Sequence, residues 1–218
     1  MKSFCIIGLN IFGETLTRTL VHQNRQVIVI DSNANLVTPM ADLVTNAIIG
    51  DPTNEAVLKR AGVKDYECAI VCLDNLNDNV LCSILLKEIG VKYVIARAVS
   101  NSHKKVLEHI GINEVVFPEE DAGARLAFTL ARDTVFDYME FDGYKLVEVV
   151  TPKTWYGKSL KELELRTKYG VSVVAVRTEG SEAPIINPPP ERTFARGERL
   201  TMIGADQYID AFVKKIGR

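Results

Sequence analysis

A chain of 218 residues with 26 basic and 28 acidic side chains offers no broad positive surface to nucleic acid. Nearly half of its residues are hydrophobic and a quarter are charged, which is typical of a soluble globular protein. No apolar stretch approaches the roughly 20 residues of a membrane span, and the N-terminal residues lack the pattern of a secretory signal. We therefore expect a cytoplasmic protein that neither inserts directly into a membrane nor binds nucleic acid.

The first 120 residues alternate short apolar strands with helices. Strands are predicted over residues 4–7, 26–30, 47–49, 68–73, 93–96 and 115–117. Helices are predicted over residues 12–22, 53–62, 77–89 and 102–110. Strands that are apolar throughout, with helices between them, indicate a parallel sheet covered on both faces. With right-handed crossovers, this order predicts a Rossmann-like, doubly wound α/β domain.

A helix of about residues 119–133 follows, and the sequence then changes character. Its apolar stripe consists of Ala122, Leu126, Ala127 and Leu130. Strands are predicted over residues 144–150, 171–176 and 200–203, with helices over 159–165 and 207–216. We expect the first domain, including the crossover helix, to span residues 1–139, and a small α+β domain to span residues 140–218. The break is predicted near Asp142 and Gly143.

The four cysteines lie in apolar or helical patterns and not at metal-ligand spacing. They are Cys5, Cys68, Cys72 and Cys82, and none forms a C-x-x-C pair. Cys68 and Cys72 share a face of a predicted strand, but no histidine or further cysteine lies near them in the sequence. This usage favours buried, reduced thiols over a disulfide scaffold or a zinc site.

Residues 8–13, GLNIFG, fit a variant of the glycine-rich turn that binds phosphate. They follow a strand and open a helix, where backbone N–H groups and the helix dipole suit an anion. Gly8 permits the tight turn, and Gly13 allows the helix to pack closely on the strand. Asn10 occupies the middle position, where the full pattern has glycine; asparagine tolerates a positive φ, so the turn is retained, but we expect its side chain to crowd the approach of a pyrophosphate.

Acidic residues follow the second and third predicted strands. Asp31 can accept hydrogen bonds from ribose hydroxyls, and its charge disfavours the 2′-phosphate of an NADP-type ligand. Alternatively, Asp31 only ends its strand and caps a turn. Gly50 and Asp51 can border the base, or they can form a turn and a helix cap; the sequence does not decide between these.

Residues for catalysis are missing from this pattern. The sequence has no Tyr-x-x-x-Lys pair, no nucleophile elbow and no P-loop. Its histidines, His22, His103 and His109, are predicted to be solvated helix residues. Because a dehydrogenase needs a proton donor or acceptor beside the transferred hydride, we expect a protein that is not an enzyme and that uses its nucleotide as a signal.

Short segments in both domains carry a resemblance to a known family. In the first domain they are IIGL at 6–9, FG at 12–13, VID at 29–31, GDPT at 50–53, IARA at 95–98 and VFPE at 116–119. In the second they are GKSL at 157–160, LRTKYGV at 165–171 and RGERL at 196–200. The chain resembles the RCK (KTN) regulatory subunits of Ktr/Trk-type bacterial potassium transporters, with an RCK_N domain followed by an RCK_C domain.

This resemblance implies a cytosolic protein that forms homodimers and then homo-octameric rings. Such rings lie at the inner face of the cell membrane beneath a separate potassium-translocating subunit, and exchange of ATP for ADP, or of NADH for NAD, gates the pore. The implied nucleotide-site residues are Gly8, Asn10, Ile11, Phe12, Gly13, Asp31, Ser32, Gly50, Asp51, Pro52, Leu73, Arg97 and Glu119.

Two of these positions bear on the choice of ligand. ATP-responsive members often have an arginine where this chain has Ile11. Without that charged contact, worth about 1.5–3 kcal/mol, ADP, AMP or NAD(H) becomes as plausible a ligand as ATP. Glu119 aligns with an acidic residue near the phosphates, where some members bind a divalent cation. Alternatively, Glu119 belongs to an acidic first helical turn with Glu120 and Asp121.

The second domain resembles RCK_C, which in some members binds cyclic di-AMP between two subunits. The residues that match that site are Arg166, Val173 and Pro188, with Ile185 and Ile186 nearby. Alternatively, Val173, Ile185 and Ile186 belong to the core and Arg166 to the surface. Two other functions stay open, which are regulation of another cation transporter and an NAD-dependent oxidoreductase.

Overall fold

The computed structural model describes residues 2–216, which divide into two compact units between residues 119 and 120. The strands of the first unit are β1 (Ser3–Ile7), β2 (Gln26–Asp31), β3 (Asn46–Ile49), β4 (Cys68–Val71), β5 (Val94–Arg97) and β6 (Glu114–Val116). Its helices are α1 (Ile11–His22), α2 (Ala34–Val37), α3 (Glu55–Arg60), α4 (Leu76–Ile89) and α5 (Asn101–His109). The strands pair in parallel in the order β3-β2-β1-β4-β5-β6, which confirms the Rossmann-like, doubly wound α/β fold.

Polar side chains that follow the strands begin the next helices. Asn54 caps α3 by accepting a hydrogen bond from the N–H of Ala56, and Asn75 caps α4 by accepting from Asn77 and Asp78. Such caps satisfy N–H groups that have no partner within the helix. The short loops after β3 and β4 are therefore set by side chains next to the candidate site.

Apolar layers cover both faces of the parallel sheet. One layer includes Cys5, Ile7, Ile28, Ile30, Ala69 and Val71. The other includes Ile6, Val27, Val29, Cys68, Ile70 and Cys72. Successive residues of each central strand thus point to opposite faces, and both faces are buried. This is why these strands are apolar throughout and do not alternate with polar residues.

All four cysteines are free and buried, as the sequence predicts. Burial raises the pKa of the Cys68 thiol to about 11 and that of Cys72 to about 12. It also raises the pKa values of Cys5 and Cys82 well above the ordinary thiol value. The thiols are therefore protonated and unreactive near neutral pH.

The second unit is built on an antiparallel sheet. Its strands are β7 (Val135–Phe141), β8 (Tyr144–Val150), β9 (Val171–Arg177), β10 (Ile185–Ile186) and β11 (Arg199–Ala205), in the order β10-β9-β11-β8-β7. The helices are α6 (Pro118–Leu130), which runs across the division between the units, α7 (Leu160–Leu163), α8 (Leu165–Tyr169) and α9 (Asp206–Ile216). The core of the second unit includes three residues of α9, Ile209, Phe212 and Val213, packed with Met202 and Trp155.

The division between the units lies earlier than the predicted boundary at 139/140. The reason is β7, which the sequence analysis missed and which pairs with β8 in the second sheet. Asp142 and Gly143, where the break was expected, form the turn of that hairpin. The apolar stripe predicted for α6 does not enter a core, because Ala122, Leu126, Ala127 and Leu130 are all exposed.

Within residues 2–216, no helix has both the length and the apolar character needed to cross a membrane.

Candidate functional site

The glycine turn leads from β1 into α1. Gly8 has a φ of +95°, in the left-handed region that favours glycine, and its N–H donates to the carbonyl oxygen of Ile30 at 2.9 Å. At Gly13, an added Cβ would lie only 2.0 Å from the carbonyl oxygen of Gly8. Both positions therefore require glycine, one for the turn and the other for the close approach of helix and strand.

Asn10 is the N-cap of α1, and its backbone is extended, with a φ of −63°. Asn10 therefore needs no positive φ, because Gly8 already makes the turn. The Asn10 Oδ1 accepts from the Gly13 N–H at 3.0 Å. Its Nδ2 donates to the carbonyl oxygen of Cys72 at 2.6 Å and to Asp74 Oδ1 at 2.8 Å. These bonds tie the turn to the end of β4.

The next two residues carry the free N–H groups of the turn. Among the described residues, the N–H groups of Ile11 and Phe12 find no hydrogen-bond acceptor. The Ile11 side chain is 87% exposed, whereas Phe12 is half-buried and packs against the core. The N-terminus of α1 thus presents two unpaired donors, which fit a phosphate group.

Asp31 ends β2 and is buried beside this turn. Its Oδ2 accepts from the N–H of Leu9 at 2.7 Å, and its Oδ1 accepts from the N–H of Asn33 at 2.8 Å. The turn-capping role that the sequence left open is therefore present. A carboxylate has about four acceptor positions, so these two bonds leave room for ribose hydroxyls. Ser32, next in the chain, is exposed.

Gly50, Asp51 and Pro52 follow β3, two strands from β1. Asp51 Oδ1 accepts from the Thr53 N–H at 2.8 Å and from the Thr53 hydroxyl at 2.6 Å. The hydroxyl bond lowers the pKa of Asp51. Asp51 thus forms a turn, while the cap of α3 is Asn54. Pro52 is buried, and Asp51 is exposed to solvent at the carboxyl edge of the sheet.

Arg97 ends β5 and is largely buried. Its Nη1 donates to Asp74 Oδ1 at 2.7 Å, and its Nη2 donates to Glu119 in the first turn of α6. Asp74 also accepts from Asn10. The hydrogen bond from Arg97 lowers the pKa of Glu119. Burial opposes the charge of Arg97, but the bonds to Glu119 and Asp74 outweigh it and raise the pKa of the guanidinium.

Asp74 and Asn79 were missed by sequence reasoning. The buried Asn79 donates through Nδ2 to the carbonyl oxygens of Leu73 at 3.0 Å and Arg97 at 3.1 Å, and so joins the ends of β4 and β5. Leu73 in turn approaches the turn, because a Cβ on Gly8 would lie 3.0 Å from Leu73 Cδ2. One signal could have found Asp74, since it is a polar residue directly after the predicted strand 68–73, at the carboxyl edge of the sheet.

The structure thus joins one subset of the predicted residues in a single network. It contains Gly8, Asn10, Gly13, Asp31, Leu73, Arg97 and Glu119, with Asp74 in addition. Within residues 2–216, no group of three or more metal-ligating side chains could hold a metal ion. The divalent cation at Glu119 therefore stays a prediction.

The comparisons with known proteins cover both units. Residues 4–118 match the family model of the TrkA-N domain, and residues 146–217 match that of the TrkA-C domain. The chain belongs to the TrkA-N/TrkA-C family. It is 33% identical over 217 residues to the Ktr system potassium uptake protein C of Bacillus subtilis. The aligned region covers 99% of this chain and 97% of that protein.

Two further relatives extend the comparison. The Ktr system potassium uptake protein A of Bacillus subtilis is 30% identical over 213 residues, covering 97% of this chain and 95% of the relative. The crystal structure of the GsuK RCK domain superposes with a TM-score of 0.70 at 22% identity, covering 100% of this chain and 48% of that one. The structural likeness establishes the fold, and this chain spans about half of that longer polypeptide.

The TrkA-C domain does not gather its predicted ligand residues as the TrkA-N domain does. Val173 is half-buried and packs against the core, and Pro188 is buried. Ile185 and Ile186 are 44% and 63% exposed, so the core alternative is wrong for both isoleucines. Arg166 is on the surface, in a groove between α8 and α9; the other four predicted residues do not line this groove.

His103 in the TrkA-N domain also departs from expectation. It is fully buried, and its Nδ1 accepts from the N–H of Val99 at 3.3 Å. Its Nε2 has no hydrogen-bond partner among the described residues. Burial lowers the pKa of His103. The prediction of a solvated histidine was wrong because α5 turns this residue towards the sheet, on the same face as Leu107.

Proposed function

We propose that this chain is the nucleotide-sensing regulatory subunit of a potassium uptake system. Support comes from its full-length likeness to the Ktr system potassium uptake proteins C and A. In this proposal the chain acts in the cytoplasm as a homodimer that assembles into a homo-octameric ring. The ring binds a membrane potassium-translocating subunit from the inner side of the cell membrane, and the chain itself is not inserted.

The observation that carries the sensing role is the network around the glycine turn. The unpaired N–H groups of Ile11 and Phe12 lie at the start of α1, where a phosphate is favoured. Asp31 lies beside them at the end of β2, within reach of a ribose. β1 lies between β2 and β4, at the point where the strand order changes direction and Rossmann folds bind nucleotides.

We propose an adenine nucleotide (ATP, ADP or AMP) or NAD(H) as the ligand. Solved structures of similar fold include the GsuK channel bound to NAD, with a TM-score of 0.54 at 22% identity, and the Shewanella denitrificans Kef CTD in an AMP-bound form, with a TM-score of 0.51 at 21% identity. That likeness concerns the fold, so the choice of ligand rests on this chain's own residues. The buried Asp31 carboxylate disfavours NADP.

The nucleotide acts here as a signal and not as a reagent. In support of this, Arg97, Asp74 and Glu119, charged side chains of the network, are engaged with one another. A nucleotide shifts a conformational equilibrium only through its different affinity for the two states. In this proposal, different nucleotides therefore favour different conformations of the ring and so open or close the pore.

Two further ligands belong to the proposal as separate sites. A divalent cation at Glu119 would screen the repulsion between that carboxylate and nucleotide phosphates. Cyclic di-AMP would contact Arg166 through its phosphodiester oxygens and the exposed Ile185 and Ile186 through its adenines. Neither ligand is required for the nucleotide site around α1.

Potassium uptake in cells that lack their own uptake systems tests this function. The chain is produced together with a Ktr-type potassium-translocating subunit, and uptake is compared between wild type and Asp31→Ala. We expect the two proteins to co-purify. We also expect potassium uptake to respond to nucleotide with the wild-type chain but not with Asp31→Ala. Co-purification with another cation transporter instead, or identical uptake by both forms, would contradict the proposal.

A further inference from the structure

We propose that Asp74 sets the charge preference of the nucleotide site, so that NAD and AMP are favoured over nucleoside triphosphates. This inference rests on the proposed function, in which phosphates bind at the start of α1. Asp74 belongs to neither the glycine turn nor the ribose position. Its influence comes from its place between the turn and the buried arginine.

Asp74 stands one side chain away from the expected phosphate position. Its Oδ1 accepts from Asn10 Nδ2 at 2.8 Å and from Arg97 Nη1 at 2.7 Å. Asn10 in turn caps α1 at Gly13. The Asp74 side chain is 68% exposed, so its charge is not enclosed by these partners and acts on any anion that approaches the turn. It both fixes the two partners and repels phosphate.

The charges of this cluster do not balance. Arg97 contributes one positive charge, while Asp74 and Glu119 contribute two negative ones. The helix N-terminus adds only about half a positive charge. Ile11, the most exposed side chain of the turn, adds none. The net charge near the turn therefore repels additional phosphate charge. This repulsion is smallest for AMP and NAD, larger for ADP and largest for ATP.

Asp74→Asn separates the charge of Asp74 from its hydrogen bonds. The asparagine Oδ1 can still accept from Asn10 and Arg97, while the negative charge is removed. We expect the affinity for ATP to rise about tenfold, and that for AMP or NAD to change by no more than about threefold. Asp74→Ala also removes the hydrogen-bond acceptor. We therefore expect its ATP affinity to rise less than that of Asp74→Asn, and its melting temperature to be lower.

Asp65→Asn is the matched control. Asp65 lies before β4, at the opposite end of the strand from Asp74, and the substitution changes the net charge equally. We expect it to leave the ratio of ATP affinity to AMP affinity unchanged. The gain of Asp74→Asn is expected to shrink at high salt, because its exposed charge is screened.

Isothermal calorimetry of the full chain with ATP, AMP and NAD in EDTA measures these affinities. Tighter binding of AMP and NAD than of ATP by the wild type, together with a raised ratio of ATP affinity to AMP affinity in Asp74→Asn alone, supports the inference; a wild type that prefers ATP contradicts it. An unchanged ratio, or a folded variant that loses all three ligands, overturns it while leaving nucleotide binding by the wild type intact. If the wild type binds none of the three, the proposed function itself fails, and the inference fails with it.

Discussion

The two units differ in how their predicted ligand residues are connected. In the first unit, hydrogen bonds connect the predicted residues: the turn donates to Asp31, and Asp74 after β4 links Asn10 to Arg97, which also binds Glu119. In the second, Arg166 lines a groove that the other predicted residues do not enter. A site formed within one chain is already assembled in that chain, whereas a site proposed to lie between two subunits depends on the second copy.

Gly13→Ala is expected to have the largest effect, and it tests whether the first unit is as tightly constrained as the contacts indicate. Its Cβ would lie 2.0 Å from a backbone oxygen, which forces the turn away from α1. We expect the free energy of unfolding to fall by about 3 kcal/mol or more, and nucleotide binding to be lost. Urea denaturation measures the change in stability.

Gly123→Ala in α6 is the control for this glycine. Nothing lies within 4 Å of a Cβ at that position, and alanine favours a helix over glycine by up to about 1 kcal/mol. We expect unchanged or slightly higher stability. Equal losses of stability in Gly13→Ala and Gly123→Ala would show that the close approach at Gly13 does not cause the destabilisation.

Arg97→Gln is expected to have the next largest effect on stability. Together with Arg125→Gln, it allows ion pairs in the two units to be compared. It leaves Asp74 and Glu119 without their cation, so we expect a loss of about 1–3 kcal/mol in the free energy of unfolding. Arg125→Gln breaks the exposed pair with Asp137 in the second unit and should cost no more than about 1 kcal/mol. If Arg125→Gln costs as much as the loss of the largely buried Arg97, the contrast fails.

His103 gives the first unit a pH dependence. Burial lowers its pKa below the ordinary value of 6.5, so the unfolded chain takes up the proton more readily. The contribution of the neutral His103 to the free energy of unfolding is therefore fully present above pH 6.5. The free energy of unfolding falls as the pH drops below 6.5 towards the lower pKa of the folded state. Urea denaturation at a series of pH values should give a shallower slope for His103→Gln than for the wild type. Equal slopes for the wild type and His103→Gln would refute this.

Ile186→Ser is expected to have the smallest effect on stability. The side chain is largely exposed, so the free energy of unfolding should change by less than about 0.5 kcal/mol. If cyclic di-AMP binds across Ile185 and Ile186, the same variant should lose that ligand in a calorimetric titration. Unchanged affinity would remove these residues from the proposed second site.

The turn was predictable because its requirements are local. Gly8 and Gly13 are dictated by a backbone conformation and a contact within six residues, and Asp31 by its place at a strand end. Asp74 and Asn79 could not be assigned in the same way, since their roles arise only when β4 lies between β1 and β5. The three strands are brought together by the sheet order, not by closeness in sequence.

The missed strand has a similar explanation. Residues 135–141, VFDYMEF, mix apolar and acidic residues without a clean alternation, and the pairing with β8 shifts register between Val135 and Asp137. An irregular edge strand of this kind gives a weak periodic signal. The exposed stripe of α6 is a second case, because an apolar helix face alone does not say what it packs against.

Residue-resolved hydrogen exchange with and without nucleotide tests the central claim most directly. NAD, ATP, ADP and AMP are each added to the full chain at saturating concentration. We predict that at least one of them slows exchange most strongly in residues 8–13 and 31–33. Slowing confined to the second unit, or no slowing anywhere with any of the four, would contradict a nucleotide site at the turn from Gly8 to Gly13.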